Sequence, residues 1–356
     1  MESKTGADVQ EALATLLNPS KLDDVLACAV AHNDPCEGDG PRTALLHVRF
    51  REDEPQVEAL GEFLWRQCMF YALPRKRRLE FKAAIAEDFA VVGRVHQAVR
   101  DVFITFNAEH PSRASELGEV LAYCVTQHHL SAAQVAAKMA LKTSPNMPVH
   151  GLDGIHAAFE NGALTIYFLE SKLSGSANSG VKDYASSAAG FLANRQQYLR
   201  EYELVSDLGH LDSLEGQARE DALDFFDIVG KPLLPRRERF VGVICYSEPR
   251  HFKAKLPVTD GPVTVHEQHF GDLLRADHKR HRASANKHIV ATGANTAKSL
   301  VFFVAVPDVN VLRRAFYRAM GVEPSGDDIP PALEDDDDET GGDAPVQTGS
   351  SEKTEA

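Results

Sequence analysis

Cysteine is scarce: five residues, at 28, 36, 68, 124 and 245, are scattered through 356 without a Cys-x-x-Cys pair. That usage points to reduced thiols in a cytoplasmic protein rather than to a disulfide framework. Long apolar runs are lacking as well. None approaches the roughly eighteen residues of a membrane span, and Met1-Glu2-Ser3-Lys4 opens a polar start rather than a signal core. A soluble, intracellular chain without a membrane partner is therefore expected. No Gly-x-x-x-x-Gly-Lys-Ser/Thr loop is present to cradle a nucleotide phosphate, so any ATP-driven motor must come from a partner. His266-Glu267-Gln268-His269 lacks the i, i+4 histidine spacing of a zinc protease helix. Helix-turn-helix and zinc-finger spacings are absent, so sequence-specific base reading is not expected. There is no internal repeat.

A net positive charge is the other thing missing. The chain carries 38 Lys and Arg against 52 Asp and Glu, a formal charge of −14. Residues 323–356 hold twelve acids and one lysine, a net −11, which leaves about −3 for the body. An acidic total thus does not exclude nucleic acid, because local basic patches set phosphate affinity. Two such patches are present, Arg75-Lys76-Arg77-Arg78 after Pro74 and His278-Lys279-Arg280-His281-Arg282. Their plainer readings are a solvated loop and a solvated helix face. The tail, rich in Pro, Gly, Asp, Glu, Ser and Thr, is expected to be disordered and to aid solubility, the alternative being that it mimics nucleic acid against a basic surface.

What is present centres on Gly151 to Lys172. Asn161-Gly162 stands between two apolar runs, and this dipeptide most readily supplies the two positive φ angles of a type I′ hairpin turn. A hairpin closed by those two residues pairs positions whose numbers sum to 323, so Ala158 faces Thr165 and Asp153 falls opposite Glu170. Alternation puts Leu164, Ile166, Phe168, Glu170 and Lys172 on one face and Thr165, Tyr167, Leu169, Ser171 and Leu173 on the other. Facing carboxylates at the end of an apolar strand repel and are costly to desolvate, so they call for a cation. Carboxylate oxygens suit Mg²⁺, with Mn²⁺ an alternative, and a lysine two residues on can orient water or neutralise charge on a phosphate. The pattern is that of metal-assisted phosphodiester hydrolysis. The bland alternative is a solvated strand end with Glu170 and Lys172 in a surface ion pair.

Elsewhere the apolar periodicity predicts a helix over 9–17, with a loop completing residues 1–40. It then predicts a strand over 45–50, helices over 56–71 and 79–89, and a strand over 102–106. A helix capped by Ser112 follows, with Leu117, Val120, Leu121, Cys124 and Val125 as its buried stripe. Glu116 lies about 110° from the stripe centre and Glu119 about 170° away, so Glu116 is the better placed to turn toward the hairpin; an ordinary exposed helix residue is the plainer reading for either, and for Glu116 the two stand even. Residues 135–141 read as a short helix or strand, and Lys138 and Lys142 as solvated lysines with a possible phosphate contact. His156 points away from Asp153 and reads as structural. A long helix over 181–199, packed through Ala185, Ala188, Ala189 and Leu192, a helix over 216–226, strands over 240–246 and 300–306, and a last helix over 309–320 complete the pattern.

Asp153, then sixteen residues, then Glu170-x-Lys172, resembles the signature of the PD-(D/E)XK nuclease superfamily. The wider run from Ser115-Glu116-Leu117-Gly118-Glu119 through Lys142-Thr143, Gly151-Leu152-Asp153-Gly154-Ile155-His156 and Glu170-Ser171-Lys172 to the helix after Gly180 resembles the HamA family, nuclease subunits of bacterial Hachiman antiphage systems. The resemblance covers about residues 40–320 and is strongest over 112–195. It implies a DNA nuclease held in check by a superfamily 2 helicase partner, HamB. It also implies a supporting acidic ligand from a helix such as that of Glu116, and ligation by the carbonyl of Ser171.

Taken together, an α/β fold is expected, with a mixed central sheet flanked by helices around a PD-(D/E)XK-like core. Residues 1–40 would form an extension, 41–322 the nuclease domain with its catalytic core at about 112–200, and 323–356 the tail. Asp153, Glu170 and Glu116 would hold Mg²⁺, and Lys172 would serve catalysis on DNA. The competing expectation is a non-catalytic adaptor that binds DNA and a helicase and keeps the hairpin only as architecture.

Overall fold

The computed structural model describes residues 5–35, 38–109, 116–137, 152–160, 163–207, 236–254 and 265–322, with residues 216, 220 and 256 between them. Among these, seven strands make one sheet: β1 (Leu26–Val30), β2 (Arg42–Val48), β5 (Ala133–Ala137), β6 (Gly154–Glu160), β7 (Ala163–Ser174), β8 (Arg236–Ser247) and β9 (Ser299–Val306). Two short strands, β3 (Phe50–Arg51) and β4 (Glu54–Pro55), form a separate ribbon. The sheet order is β1-β2-β9-β8-β7-β6-β5; β2, β9, β8 and β7 run parallel, and β1, β6 and β5 pair antiparallel at the two sides. Parallel central strands are covered on both faces and read as unbroken apolar runs. In β9, Ser-Leu-Val-Phe-Phe-Val-Ala-Val is buried at every position.

Helices cover both faces. On one side lie α2 (Val57–Ala72), α4 (Val91–Glu109), α5 (Glu116–Leu130) and α11 (Val309–Met320), packed on Tyr167, Leu169, Val243 and Phe302. On the other lie α1 (Thr5–Leu16), α6 (Ala177–Ala193), α7 (Arg195–Asp207), α9 (His266–Ala276) and α10 (His278–Ala291), packed on Ile166, Phe168, Ile244 and Phe303. Two further helices, α3 (Arg75–Glu87) and α8 (Pro249–Phe252), contribute no buried side chain. Burying each large apolar side chain of these layers is worth about 1.5–3 kcal/mol.

The expected mixed α/β architecture is present, with four local corrections. Val102–Phe106 belongs to helix α4, not to a strand: Phe103 is buried against Trp65 and Phe316, and packing outweighs the strand propensity of this β-branched and aromatic run. Pro74 directly precedes α3, so Arg75–Arg78 form its first turns rather than a loop. The stretch expected as a loop before residue 40 contains β1, which extends the same sheet. The long helix after Gly180 divides at Asn194 into α6 and α7, and Leu192 is 45% exposed rather than packed. The expected helix over 216–226, Lys138 and Lys142, the Ser112 cap and the tail lie outside the described residues.

Candidate active site

The hairpin sets the site. β6 and β7 pair antiparallel in the expected register, from Glu160↔Ala163 to Gly154↔Leu169, while the Asn161-Gly162 turn itself lies outside the described residues. Past Gly154 the paired register ends: the Asp153 N–H donates to the Leu169 carbonyl at 2.8 Å, one residue off the expected pairing with Glu170, although the Glu170 carboxylate is near enough to act on that of Asp153. Beyond this point β7 runs on to Ser174 beside β8 alone among the described strands. The backbone N–H of Ser171 would otherwise lose its ladder partner. Asp153 Oδ2 replaces it, accepting from Ser171 N and from Ser171 Oγ, both at 2.6 Å. Ser171 points to the α5 face, where Gly118 lets the helix approach: a Cβ there would sit 3.2 Å from Ser171 Oγ. On the β7 side, Lys172 Nζ donates to Glu170 Oε1 at 2.6 Å.

Charge is concentrated here. Burial, then the carboxylates of Glu170 and Glu119, push the Asp153 carboxyl up to about 7 against the pull of its two bonds from Ser171. Burial alone would depress the Lys172 ammonium, but Glu170, Asp153 and Asp183 outweigh it and the pKa is raised. The lysine therefore stays charged while Asp153 is divided between its protonated and ionised forms near neutral pH. A carboxyl that ionises this reluctantly beside its neighbours is a place where a cation would be stabilised.

α5 departs from the wheel. It is buried from Glu116 through Gln127, because the sheet covers one side and α2 and α11 the other, so it has no solvent face for Glu119. Glu116 is 0% and Glu119 2% exposed. Each carboxylate meets a tyrosine hydroxyl, as buried acids require. Tyr317 of α11 donates to Glu116 Oε2 at 3.0 Å, and Tyr71 of α2 donates to Glu119 Oε2 at 2.5 Å. Glu119, which the wheel turned away, is the α5 acid whose charge acts on Asp153. Tyr71, Tyr317 and Glu119 carried no motif signal.

A family model for HamA matches residues 23–320. The chain belongs to the HamA family. HamA proteins are components of Hachiman, so membership implies a role in antiphage defence. No curated protein matches the chain significantly. The HamA match takes in β1 and extends to the end of α11.

His156 of this HamA chain is fully buried, its Nδ1 3.0 Å from the Ala132 carbonyl, and burial lowers its pKa to about 4. The patch at 278–282 is largely engaged within the fold. Arg282 donates to the Gly38 and Pro41 carbonyls at 2.7 and 3.2 Å, Arg280 pairs with Asp277 at 2.8 Å, and His278 meets Thr43 at 2.7 Å. Among the described residues, the acids and histidines whose ligand atoms come within 4.8 Å of one another are Glu248, His251 and Asp277. Asp277 Oδ2 there already pairs with His251 at 2.7 Å and Arg280 at 2.8 Å, so this trio is a charged structural knot between α8 and α10. Among the described residues no helix is long and apolar enough to cross a membrane.

Proposed function

We propose that this chain is a metal-dependent DNA nuclease of Hachiman defence, with a PD-(D/E)XK-like core, restrained and released by a superfamily 2 helicase partner, HamB. One observation supports the reading: burial and the carboxylates of Glu170 and Glu119 together raise the Asp153 carboxyl, and Lys172 pairs with Glu170 at 2.6 Å, where β7 outruns β6. Hard oxygen donors crowded until one titrates near neutral pH fit Mg²⁺ or Mn²⁺. Asp153 and Glu170 would hold the ion, with an α5 glutamate in support, either Glu116 or Glu119, and the carbonyl of Ser171 as a further donor. A bound divalent ion supplies a Lewis acid beside the scissile phosphate and acidifies its water.

The chain's own groups do the rest. Ser171, through two bonds to one Asp153 oxygen, aims that carboxylate. Lys172, drawn from Glu170 once the carboxylate charge is otherwise neutralised, places its ammonium against the charge that gathers on the phosphate oxygens. Being charged at neutral pH, it acts as an electrostatic and positioning group rather than as a base.

The test is supercoiled plasmid incubated with purified protein in Mg²⁺, in EDTA, and with Glu170→Ala or Lys172→Ala, followed by the same series with helicase and ATP. Nicking that needs both the metal and those side chains is expected, with losses of a hundredfold or more in the variants. No cleavage even with helicase and ATP, together with variants that still protect cells from phage, would instead establish the adaptor. Parallel RNA substrates separate a ribonuclease.

A further inference from the structure

The α3 face is built at odds with the rest of the molecule. Its first turn carries Arg75, Lys76, Arg77 and Arg78 and no acid, although cations at a helix N-terminus oppose the helix dipole. The helix buries none of its side chains in the core, and Leu79 stands 47% exposed. Between α3, the ends of α1 and α2 and Val95 of α4 lies a cavity of about 360 Å³, with Thr15 to Asn18 on one wall and Arg75 donating to Thr15 Oγ1 at 2.9 Å. Its floor is apolar, with Phe70, Leu73, Leu79 and Ile85, and Arg75, Arg78 and Lys82 line it too. The guanidinium of Arg78 lies over the Phe70 ring at 5.4 Å, and its Nε is buried without a hydrogen-bond partner among the described residues. Burial, with the like charge of Arg75, outweighs Tyr123 and lowers its pKa. An anion attached to apolar residues would satisfy both parts of this cavity.

The chain carries such a segment. Asp327-Asp328 and Glu334-Asp335-Asp336-Asp337-Asp338-Glu339 bracket Ile329-Pro330-Pro331-Ala332-Leu333. α11 ends near the start of α2, where Arg318 pairs with Glu58, and the cavity lies at the other end of α2, about 18 Å along its axis from Glu58 to Phe70. α11 ends at Gly321, whose φ of 76° makes the left-handed cap and whose carbonyl accepts from Arg100 of α4 at 3.3 Å. Val95, which lines the cavity, lies five residues earlier on α4, about 7.5 Å along its axis. From Val322 to Ile329 the chain can span about 23 Å, enough to run along α2 from its first turn to the cavity.

We propose that residues 327–339 dock on this cavity, Ile329 and Leu333 on the apolar floor and the flanking carboxylates against Arg75, Arg78 and Lys82. The protein would thereby cover its own basic patch, and a polyanion would have to displace the segment to reach it. This inference stands independently of the nuclease chemistry, since none of these residues belongs to the Asp153 site.

The experiment places the photocrosslinker p-benzoylphenylalanine at Leu333 of the full-length protein and maps the products by mass spectrometry. Crosslinks to α3 and the end of α2 are expected, within one chain and at a yield unchanged over hundredfold dilution. They should be lost in Leu79→Glu, a change at an exposed position that spares the core. Crosslinks elsewhere in the chain, none at all, or only between two copies with a yield that falls on dilution would overturn the proposal. A fluorescein-labelled peptide of residues 323–343 gives a second measurement. It should bind the Ile329→Asp/Leu333→Asp full-length protein at least tenfold more tightly than the wild type, whose cavity is covered. Equal binding to the two proteins, or equal binding of a scrambled peptide, would overturn it.

Discussion

Asp153 is held in a protonation state that the fold dislikes leaving. Its carboxyl titrates near 7 in the folded protein against an ordinary 3.8, so between those values the folded chain keeps a proton that the unfolded chain has released. The sign follows: its contribution to stability falls as pH rises from about 4 to about 7, and above that the penalty is complete. Asp153→Asn keeps an oxygen for Ser171 and removes the charge. In EDTA at pH 8 the variant should be more stable than the wild type by about 1–4 kcal/mol, a difference that vanishes near pH 4, while cleavage is lost. Urea denaturation at the two pH values measures this. Equal stability at pH 8 would mean that the folded protein ionises Asp153 without strain. The register from Glu160↔Ala163 to Gly154↔Leu169 was legible from Asn161-Gly162 alone, because a two-residue turn fixes the pairs below it, but it slips at Asp153. The α5 acids were not legible in the same way, because a wheel assumes one wet face and α5 has none.

At the scale of the element, glycine decides how closely α6 approaches the sheet. A Cβ on Gly180 would lie 2.3 Å from Ile244 Cγ2 and 3.1 Å from Ser174 Cβ, whereas at Gly190 on the same helix nothing comes within 4 Å. Gly180→Ala should therefore cost about 1–3 kcal/mol by forcing α6 off β8. Gly190→Ala should gain up to about 1 kcal/mol through helix propensity and a less flexible unfolded chain. Paired chemical denaturation curves check both, and a destabilised Gly190→Ala would break the argument. Element identity was readable where the period was clean: α2, β8, β9 and α11 stand close to where their spacing puts them. It failed at Val102–Phe106, whose side chains suit a strand while α2 and α11 supply a helical groove around Phe103. Strand order was not readable at all. β9, last in the chain, inserts between β2 and β8, and no local pattern encodes a pairing that distant.

The molecule as a whole holds buried or half-buried neutral histidines on both faces of its sheet. His156, against Tyr123, and His129, against Phe302, lie on the α5 side, and His281 stacks on Phe303 on the other. Burial first of all holds their pKa values down, to about 4, about 4 and about 3 from an ordinary 6.5. A depressed histidine stabilises the fold above 6.5 and loses that contribution as pH falls toward the folded value, because only the unfolded chain takes up the proton. Asp153 works the other way over much of the same range, but it is one group against these three, and burial lowers His47, His278 and His288 in the histidines' direction as well. Near pH 5.5 unfolding should then take up about two protons or more net, so stability should fall by roughly 2 kcal/mol or more for each pH unit of acidification. Asp153→Asn removes the opposing group and should steepen that slope toward about 4 kcal/mol per unit. Denaturation midpoints between pH 5 and 6.5, in wild type and variant, measure both slopes. Stability that stays flat or rises on acidification would mean that the three histidines can be protonated inside the fold, and that the packing around them yields far more readily than their burial implies.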